Sequence, residues 1–248
     1  EIMLPEKLTS YLTPVIMIIL FAFIWFKVDR ETSSLEKSIK DLKGSTTTET
    51  VAGADNTTVD ISQIKALFDD KTHLLFGSSK SNLIFVEVSD PSCPYCSIAS
   101  GKNPELNKMA GAQFTMVADG GSYVAPVAEM KKLVEDGKAS FVYIYNNGHG
   151  NGELAAQALY CAYDEKKFWE VHDLLMSGDG YSLINGENVE NFTGVTAEQL
   201  AKFLAPTVKE STMLSCLTEG KYAERLTRDM QVAGSLGVSG TPGFFINE

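Results

Sequence analysis

Hydrophobic positions follow three different rhythms along the 248 residues. From Leu8 to Phe26 nineteen consecutive residues carry no charge, and Val15 to Phe26 is apolar throughout. A helix rising about 1.5 Å per residue makes that stretch roughly 28 Å long, close to the hydrocarbon thickness of a bilayer. No small-x-small cleavage site follows, and Trp25, Phe26 and Lys27 read as an interfacial anchor. The pattern therefore predicts a retained single-span helix within residues 1–30 rather than a cleaved signal peptide. Beyond it, Leu35, Ile39 and Leu42 recur at helical spacing, which reads as a solvated stalk in preference to a self-association seam. The run GSTTTETVAGADNTT, from Gly44 to Thr58, is small and polar, so residues 31–58 form a flexible linker.

From residue 59 onward the rhythm is that of a folded domain. Ile61, Ile64, Ala66, Leu67 and Phe68 predict a short helix, and His73–Phe76 and Leu83–Val88 predict strands, the second apolar enough to be central. A tight turn follows, then a helix that begins at Cys93 and can run to about Met109. A second helix is expected over Val124–Glu135 and another apolar strand over Ala139–Tyr145, which makes a β-α-β arrangement. From about Gly152 to Gly237 the helical periodicity is almost uninterrupted, with Leu154, Ala158 and Cys161 on one face and Phe168, Val171 and Leu175 on another. Thr196 to Gln199 has capping-box spacing, and Gly220 and Gly237 punctuate the later helices. The segment Val238–Asn247 reads as a turn entering a strand, with Pro242 a candidate for a cis peptide bond.

Composition narrows the function classes. A net charge of −11 argues against a nucleic-acid partner, which calls for a basic footprint. The domain alone holds 15 basic and 24 acidic residues, so no basic membrane-facing patch is evident. With 44% hydrophobic and 21% charged residues the chain is ordinary for a globular protein. Glu at position 1 and an apolar run just before residue 248 make it read as a fragment at both ends.

The chemistry is concentrated in Cys93-Pro94-Tyr95-Cys96. At a helix start, unpaired backbone N–H groups favour an anion, so the Cys93 thiol should ionise readily. Pro94 fits the first turn, where its missing N–H costs nothing. Cys96, one turn on, can attack a mixed disulfide formed at Cys93. The competing reading is half of a zinc site completed by Cys161, Cys216 or a histidine, that is, a zinc-stabilised binding module. No second pair at metal spacing exists, and no metal is expected. Glu87 interrupts an apolar strand. Buried, it is costly unless it accepts a proton from Cys96 or is solvated through a cavity; the alternative is an edge strand with Glu87 facing water. Cys161 and Cys216 are either two buried thiols or a disulfide worth about 4 kcal/mol in the chain-entropy model. His73 reads as a surface or strand-edge residue, and His149, within Asn-Asn-Gly-His-Gly, as a loop residue.

Three blocks, FVEVSDPSCPYC, AAQALYCAYDEKKFWEVHDLL and KYAERLTRDMQVAGSLGVSGTPGFFIN, together resemble the DsbA-like branch of the thioredoxin superfamily over residues 59–248. The resemblance implies an α/β thioredoxin fold with an inserted helical domain at about 150–220, preceded here by a single transmembrane helix. It implies disulfide exchange in the bacterial cell envelope without a cofactor. By position it makes Cys93 the attacking and Cys96 the resolving cysteine, Glu87 the buried acid, and Thr241-Pro242 a cis-proline loop. With Pro94 and Tyr95, that loop would contact substrate. Trp169 and His172 match family positions that are mostly core.

Three features depart from the family. The archetypal strong oxidant has histidine where Tyr95 stands, so this thiolate should be less stabilised; Pro-Tyr also occurs in glutaredoxins, which reduce. Thr241 is found in isomerase and oxidase branches alike. The family's last strand and C-terminal helix are missing. The expectation is a thiol:disulfide oxidoreductase that donates its Cys93–Cys96 disulfide to reduced or misfolded proteins, with a disulfide reductase or isomerase as the alternative. A membrane redox partner would recycle it. The span would hold the catalytic domain outside the cytoplasmic membrane, although Lys27, Arg30, Lys37, Lys40 and Lys43, taken literally, favour the opposite orientation.

Overall fold

The computed structural model describes residues 61–78, 80–187 and 193–247. The anchor expected over 1–30, the linker expected over 31–58 and the first two residues of the expected domain, 59 and 60, lie outside them. No helix among the described residues is long and apolar enough to cross a membrane. The elements run α1 (Ile61–Asp69), β1 (Leu74–Phe76), β2 (Ile84–Ser89), α2 (Pro94–Ser100), α3 (Pro104–Met109), α4 (Pro126–Glu135) and β3 (Ser140–Tyr145). Five further helices follow: α5 (Glu153–Asp164), α6 (Phe168–Leu175), α7 (Gly178–Asn185), α8 (Ala197–Leu204) and α9 (Glu210–Thr218). The last two elements are α10 (Ala223–Ser235) and β4 (Gly243–Ile246).

The sheet order is β1-β3-β2-β4. β2 and β3 are parallel, with Phe85 opposite Phe141 and Glu87 opposite Tyr143, while β1 and β4 close the sides antiparallel. Every residue of β2 and β3 is buried, which explains why both read as continuous apolar runs rather than as alternation. The pleat sends Ile84, Val86, Val88, Val142 and Ile144 to one face, against α1 and the end of α10. Phe85, Phe141, Tyr143 and Tyr145 go to the other, where Leu159, Phe168, Val171 and Leu175 cover them. Glu87 points to this second face by the same alternation.

Two expectations need correction. The helix expected from Cys93 to Met109 is two helices: α2 stops at Gly101, which takes the left-handed conformation (φ 70°), and α3 restarts behind Asn103, whose side chain accepts from the Leu106 N–H at 3.1 Å. Glycine followed by a capped Pro104 outweighs the helical periodicity. His73 precedes an edge strand yet is buried. Arg225 Nη2 lies 2.8 Å from its Nδ1 and Asp229 Oδ1 3.2 Å from the same nitrogen. Asp229 also accepts from the Tyr145 N–H and the Tyr160 hydroxyl. These partners lie far away in sequence, so local pattern gives no sign of them.

Elsewhere the local signals have clear structural counterparts. Thr196 and Gln199 form a reciprocal capping box at the start of α8. Cys161 of α5 and Cys216 of α9 form a disulfide, with their Cα atoms 6.2 Å apart, joining two helices of the layer over Tyr143.

Candidate active site

Between β2 and α2 the chain turns through Asp90-Pro91-Ser92, and the turn is held by one buried carboxylate. Asp90 Oδ1 accepts from the Ser92 N–H at 2.8 Å and the Ser92 hydroxyl at 2.7 Å. Oδ2 accepts from the N–H groups of Gly148 and His149 at 2.9 and 2.8 Å, and the Asp90 carbonyl accepts from Cys93 N–H at 3.0 Å. An aspartate bonding its own backbone two residues on is a turn device; here it also fastens the loop after β3 to the site. That loop comes so close that a Cβ on Gly152 would stand 1.8 Å from Asp90 Oδ1, and one on Gly148 would stand 2.0 Å from Thr241 Oγ1. His149 sits in this loop and contributes its backbone.

Cys93 is therefore presented as the N-cap residue, in extended conformation, with Pro94 at the first helical position. This is one position earlier than the sequence suggests. Both thiols are free, and with Met176 they form a small apolar cluster of their own. The Cys93 thiol donates to the Thr241 carbonyl at 3.3 Å. Its pKa is lowered from an ordinary 9.0 to about 6, chiefly by the Cys96 thiol. Burial opposes the shift, and the Thr241 side chain and the backbone N–H groups of Cys96 and Tyr95 add to it. Cys96, wholly buried, goes the other way: burial raises its pKa well above 9.0, and the neighbouring Cys93 raises it further, although the Asp90 N–H donates to its sulfur at 3.4 Å. One thiol is poised as an anion and its partner is held protonated.

The remaining sequence-derived residues divide into those brought here and those not. The Thr241–Pro242 peptide is cis, and Thr241 sets its carbonyl on Cys93. Tyr95 is 55% exposed beside the thiols. Glu87 is fully buried in a central strand, which removes the edge-strand reading, and neither carboxylate oxygen has a hydrogen-bond partner. Burial raises its pKa, while His172 and Ser89 act in the opposite sense. No hydrogen bond joins Glu87 to Cys96 among the described residues. Trp169 and His172 pack with Phe168 under the sheet. Cys161 and Cys216 are bonded to each other, which withdraws both from the zinc set considered above.

Sequence reasoning passed over Asp90, Met176 and the glycine contacts. The Asp-Pro-Ser run and the glycine-rich stretch 148–152 carried a turn signal, whereas nothing local marks Met176, which arrives from the end of α6.

Comparison with known proteins bears on the fold. A family model described as thioredoxin matches residues 126–248, a span that takes in the Thr241-Pro242 loop but not the Cys93–Cys96 pair. The crystal structure of Wolbachia pipientis alpha-DsbA1 is similar with a TM-score of 0.53 at 16% identity, covering 74% of this chain and 79% of that one. That of oxidised BdbD from Bacillus subtilis has a TM-score of 0.49 at 21% identity, covering 71% and 82%. A stretch of 181 residues, 72% of the chain, is 26% identical to the Na(+)/H(+) antiporter NhaA 1 of Salinispora arenicola (strain CNS-205). The chain spans 22% of the length of that curated relative. The likeness to the Wolbachia structure, together with the family match, identifies a mixed α/β thioredoxin-like fold rich in helices.

Proposed function

We propose that this thioredoxin-like chain is a thiol:disulfide oxidoreductase of the DsbA type, in which Cys93 is the nucleophile and Cys96 the resolving thiol. The observation that carries the reading is the divergence of two adjacent thiols: Cys93 lowered to about 6 beside a Cys96 raised well above 9.0. An exchange site requires that asymmetry, because only the thiolate attacks or leaves readily.

In the oxidising direction a substrate thiolate attacks Cys93 Sγ, the Cys93–Cys96 bond breaks, and Cys96 leaves with the electron pair and takes up a proton. A second substrate thiolate then attacks the substrate sulfur of the mixed disulfide and releases Cys93 as its thiolate. Substrate loses two electrons as its dithiol becomes a disulfide, and the pair on the enzyme gains them. Glu87, buried and inclined to hold its proton, serves as the proton store for Cys96 through intervening groups or water. Thr241 offers its backbone beside the reacting sulfur, and Pro94 and Tyr95 form the neighbouring contact surface.

The Cys161–Cys216 bond favours an oxidising compartment. With the apolar stretch 8–26 it supports a domain tethered outside the cytoplasmic membrane of a bacterium, recycled by a membrane redox partner and acting on reduced or misfolded proteins. A reductase or isomerase reading keeps one specific support: the groups that stabilise the Cys93 thiolate are a thiol, a hydroxyl and two amides, none of them cationic.

The equilibrium reduction potential in glutathione buffers, read by alkylation and mass spectrometry, separates these directions. A value near about −120 mV makes the chain an oxidant, and one near about −270 mV a reductant. A pair that shows no reversible equilibrium with glutathione removes the exchange reading altogether.

A further inference from the structure

Five large apolar side chains are exposed among the described residues: Tyr95, Met109, Val117, Val124 and Ile246. Four of them come from the active-site dipeptide and from the stretch 109–124. The patch is connected by rings. Tyr95 stands edge-on to Phe114 with centroids 6.1 Å apart, and Phe114 stands edge-on to Tyr123 at 5.5 Å. A row of aromatic rings thus leads from two residues beyond Cys93 onto the excursion between α3 and α4, the segment in which Val117 and Val124 are also exposed.

The excursion is a built surface. Its two short 3₁₀ turns, Ala112–Phe114 and Val117–Asp119, are tied back by the Tyr123 N–H donating to the Thr115 carbonyl at 2.9 Å and the Val117 N–H donating to Tyr123 at 3.1 Å. A Cβ on Gly121 would stand 2.1 Å from the Thr115 carbonyl oxygen, so the return strand is seated tightly. Buried Asn107 fastens the Phe114 carbonyl at 3.1 Å and the Ile98 carbonyl of α2 at 3.3 Å. The row of rings is thereby fixed to the same helix that carries the cysteines.

We propose that Tyr95, Phe114, Tyr123, Val117 and Val124 form a platform for an apolar, preferably aromatic, side chain flanking the cysteine of a reduced protein substrate. The inference rests on the oxidoreductase reading and adds to it a basis for choosing among thiols. The occupant follows from position. Whatever lies on Tyr95 is adjacent to a sulfur that bonds covalently to its partner, so an extended cysteine-containing chain is held at one end by Cys93 and meets the rings within a residue or two. The nearby charges are occupied with one another: Lys108 Nζ lies 3.4 Å from Asp119 and 3.5 Å from Glu105. They leave no cationic rim of the kind that draws a protein onto anionic lipid. An edge-on aromatic contact is of a size that changes affinity by about 3- to 10-fold.

The test uses the oxidised full chain in detergent and follows reduction of Cys93–Cys96 by quenched alkylation. Glutathione serves as the bare thiol, and two peptides differ only in having Phe or Gly on either side of one cysteine. The Phe peptide should show a KM about 3- to 10-fold below that of the Gly peptide, with kcat alike. Val117→Asp with Val124→Asp, both at exposed positions that leave the thiols untouched, should bring the two KM values together without altering the glutathione rate. Phe114→Ala should do the same. Equal KM values in the natural chain, or a preference that survives the Val117/Val124 change, would overturn the platform. Failure of glutathione and both peptides to reduce the pair would instead overturn the oxidoreductase reading beneath it.

Discussion

Replacing Cys96 with alanine tests the central electrostatic claim, because the Cys96 thiol is the largest influence holding the Cys93 pKa at about 6. At that value about 90% of Cys93 is thiolate at pH 7, against about 1% for a thiol titrating at 9. The shift of about three units corresponds to roughly 4 kcal/mol of thiolate stabilisation once both states are fully ionised. A depressed pKa stabilises the folded reduced form at pH values above it. The gain is therefore complete above about 9, partial between 9 and 6, and gone as pH falls through about 6. At pH 7 the partial gain is about 1.4 kcal/mol, which makes the pair about 30 mV more oxidising than one with an ordinary thiol. A hydrogen bond to a charged group contributes about 1.5–3 kcal/mol, so losing the Cys96 donor should raise the Cys93 midpoint by about one to two units. The Thr241 hydroxyl and two backbone N–H groups hold the remainder of the shift. The assay is the rate of iodoacetamide alkylation of the reduced protein from pH 4 to 10, resolved by residue with mass spectrometry. A natural midpoint near that of a free thiol, or a Cys96→Ala midpoint that moves by less than half a unit, would refute the reasoning.

Glu87→Leu should stabilise the domain by about 1–3 kcal/mol at pH 8, since it removes a buried carboxyl without hydrogen-bond partners. Its raised pKa means that the natural protein loses stability as pH climbs above the usual carboxylate range, so the gain should shrink toward pH 4; urea unfolding at both pH values measures it. Gly152→Ala should cost about 1–3 kcal/mol and move the Cys93 midpoint, because its Cβ displaces the Asp90 carboxylate that organises the turn; a neutral result in thermal unfolding would contradict that tight fit. Cys161→Ala with Cys216→Ala should lower stability by about 4 kcal/mol while leaving the Cys93 midpoint in place, measured by denaturant unfolding beside the same alkylation titration.

Much of the site was legible because its signals are short-range. Cys93-Pro94-Tyr95-Cys96 after an apolar strand specifies a strand, a turn and a helix start, and Pro242 ahead of Phe244 and Phe245 marks a second turn entering a strand. The buried central strands, the capping box at Thr196 and the helical run from residue 153 all announce themselves through period and capping chemistry. Local signals also misled where two competed: periodicity carried the active-site helix on to Met109, but Gly101 and Pro104 break it.

What only the tertiary structure decided are relations between distant residues. The sequence determined which thiols could react, but their unequal acidity depends on the Thr241 side chain arriving beside Cys93 from the far end of the chain and on the depth at which Cys96 is buried. Glu87 could be read as an edge residue or a buried acid until β4 was seen to close over β2 from the far end of the chain. His73 is drawn inside by Arg225 and Asp229, over 150 residues away in sequence. Cys161 and Cys216 become a bond because α5 and α9 pack together. Periodicity, capping and turn chemistry act over a few residues and are written into them. Burial, pairing and acidity arise from whatever the folded chain brings alongside, which adjacency in sequence does not encode.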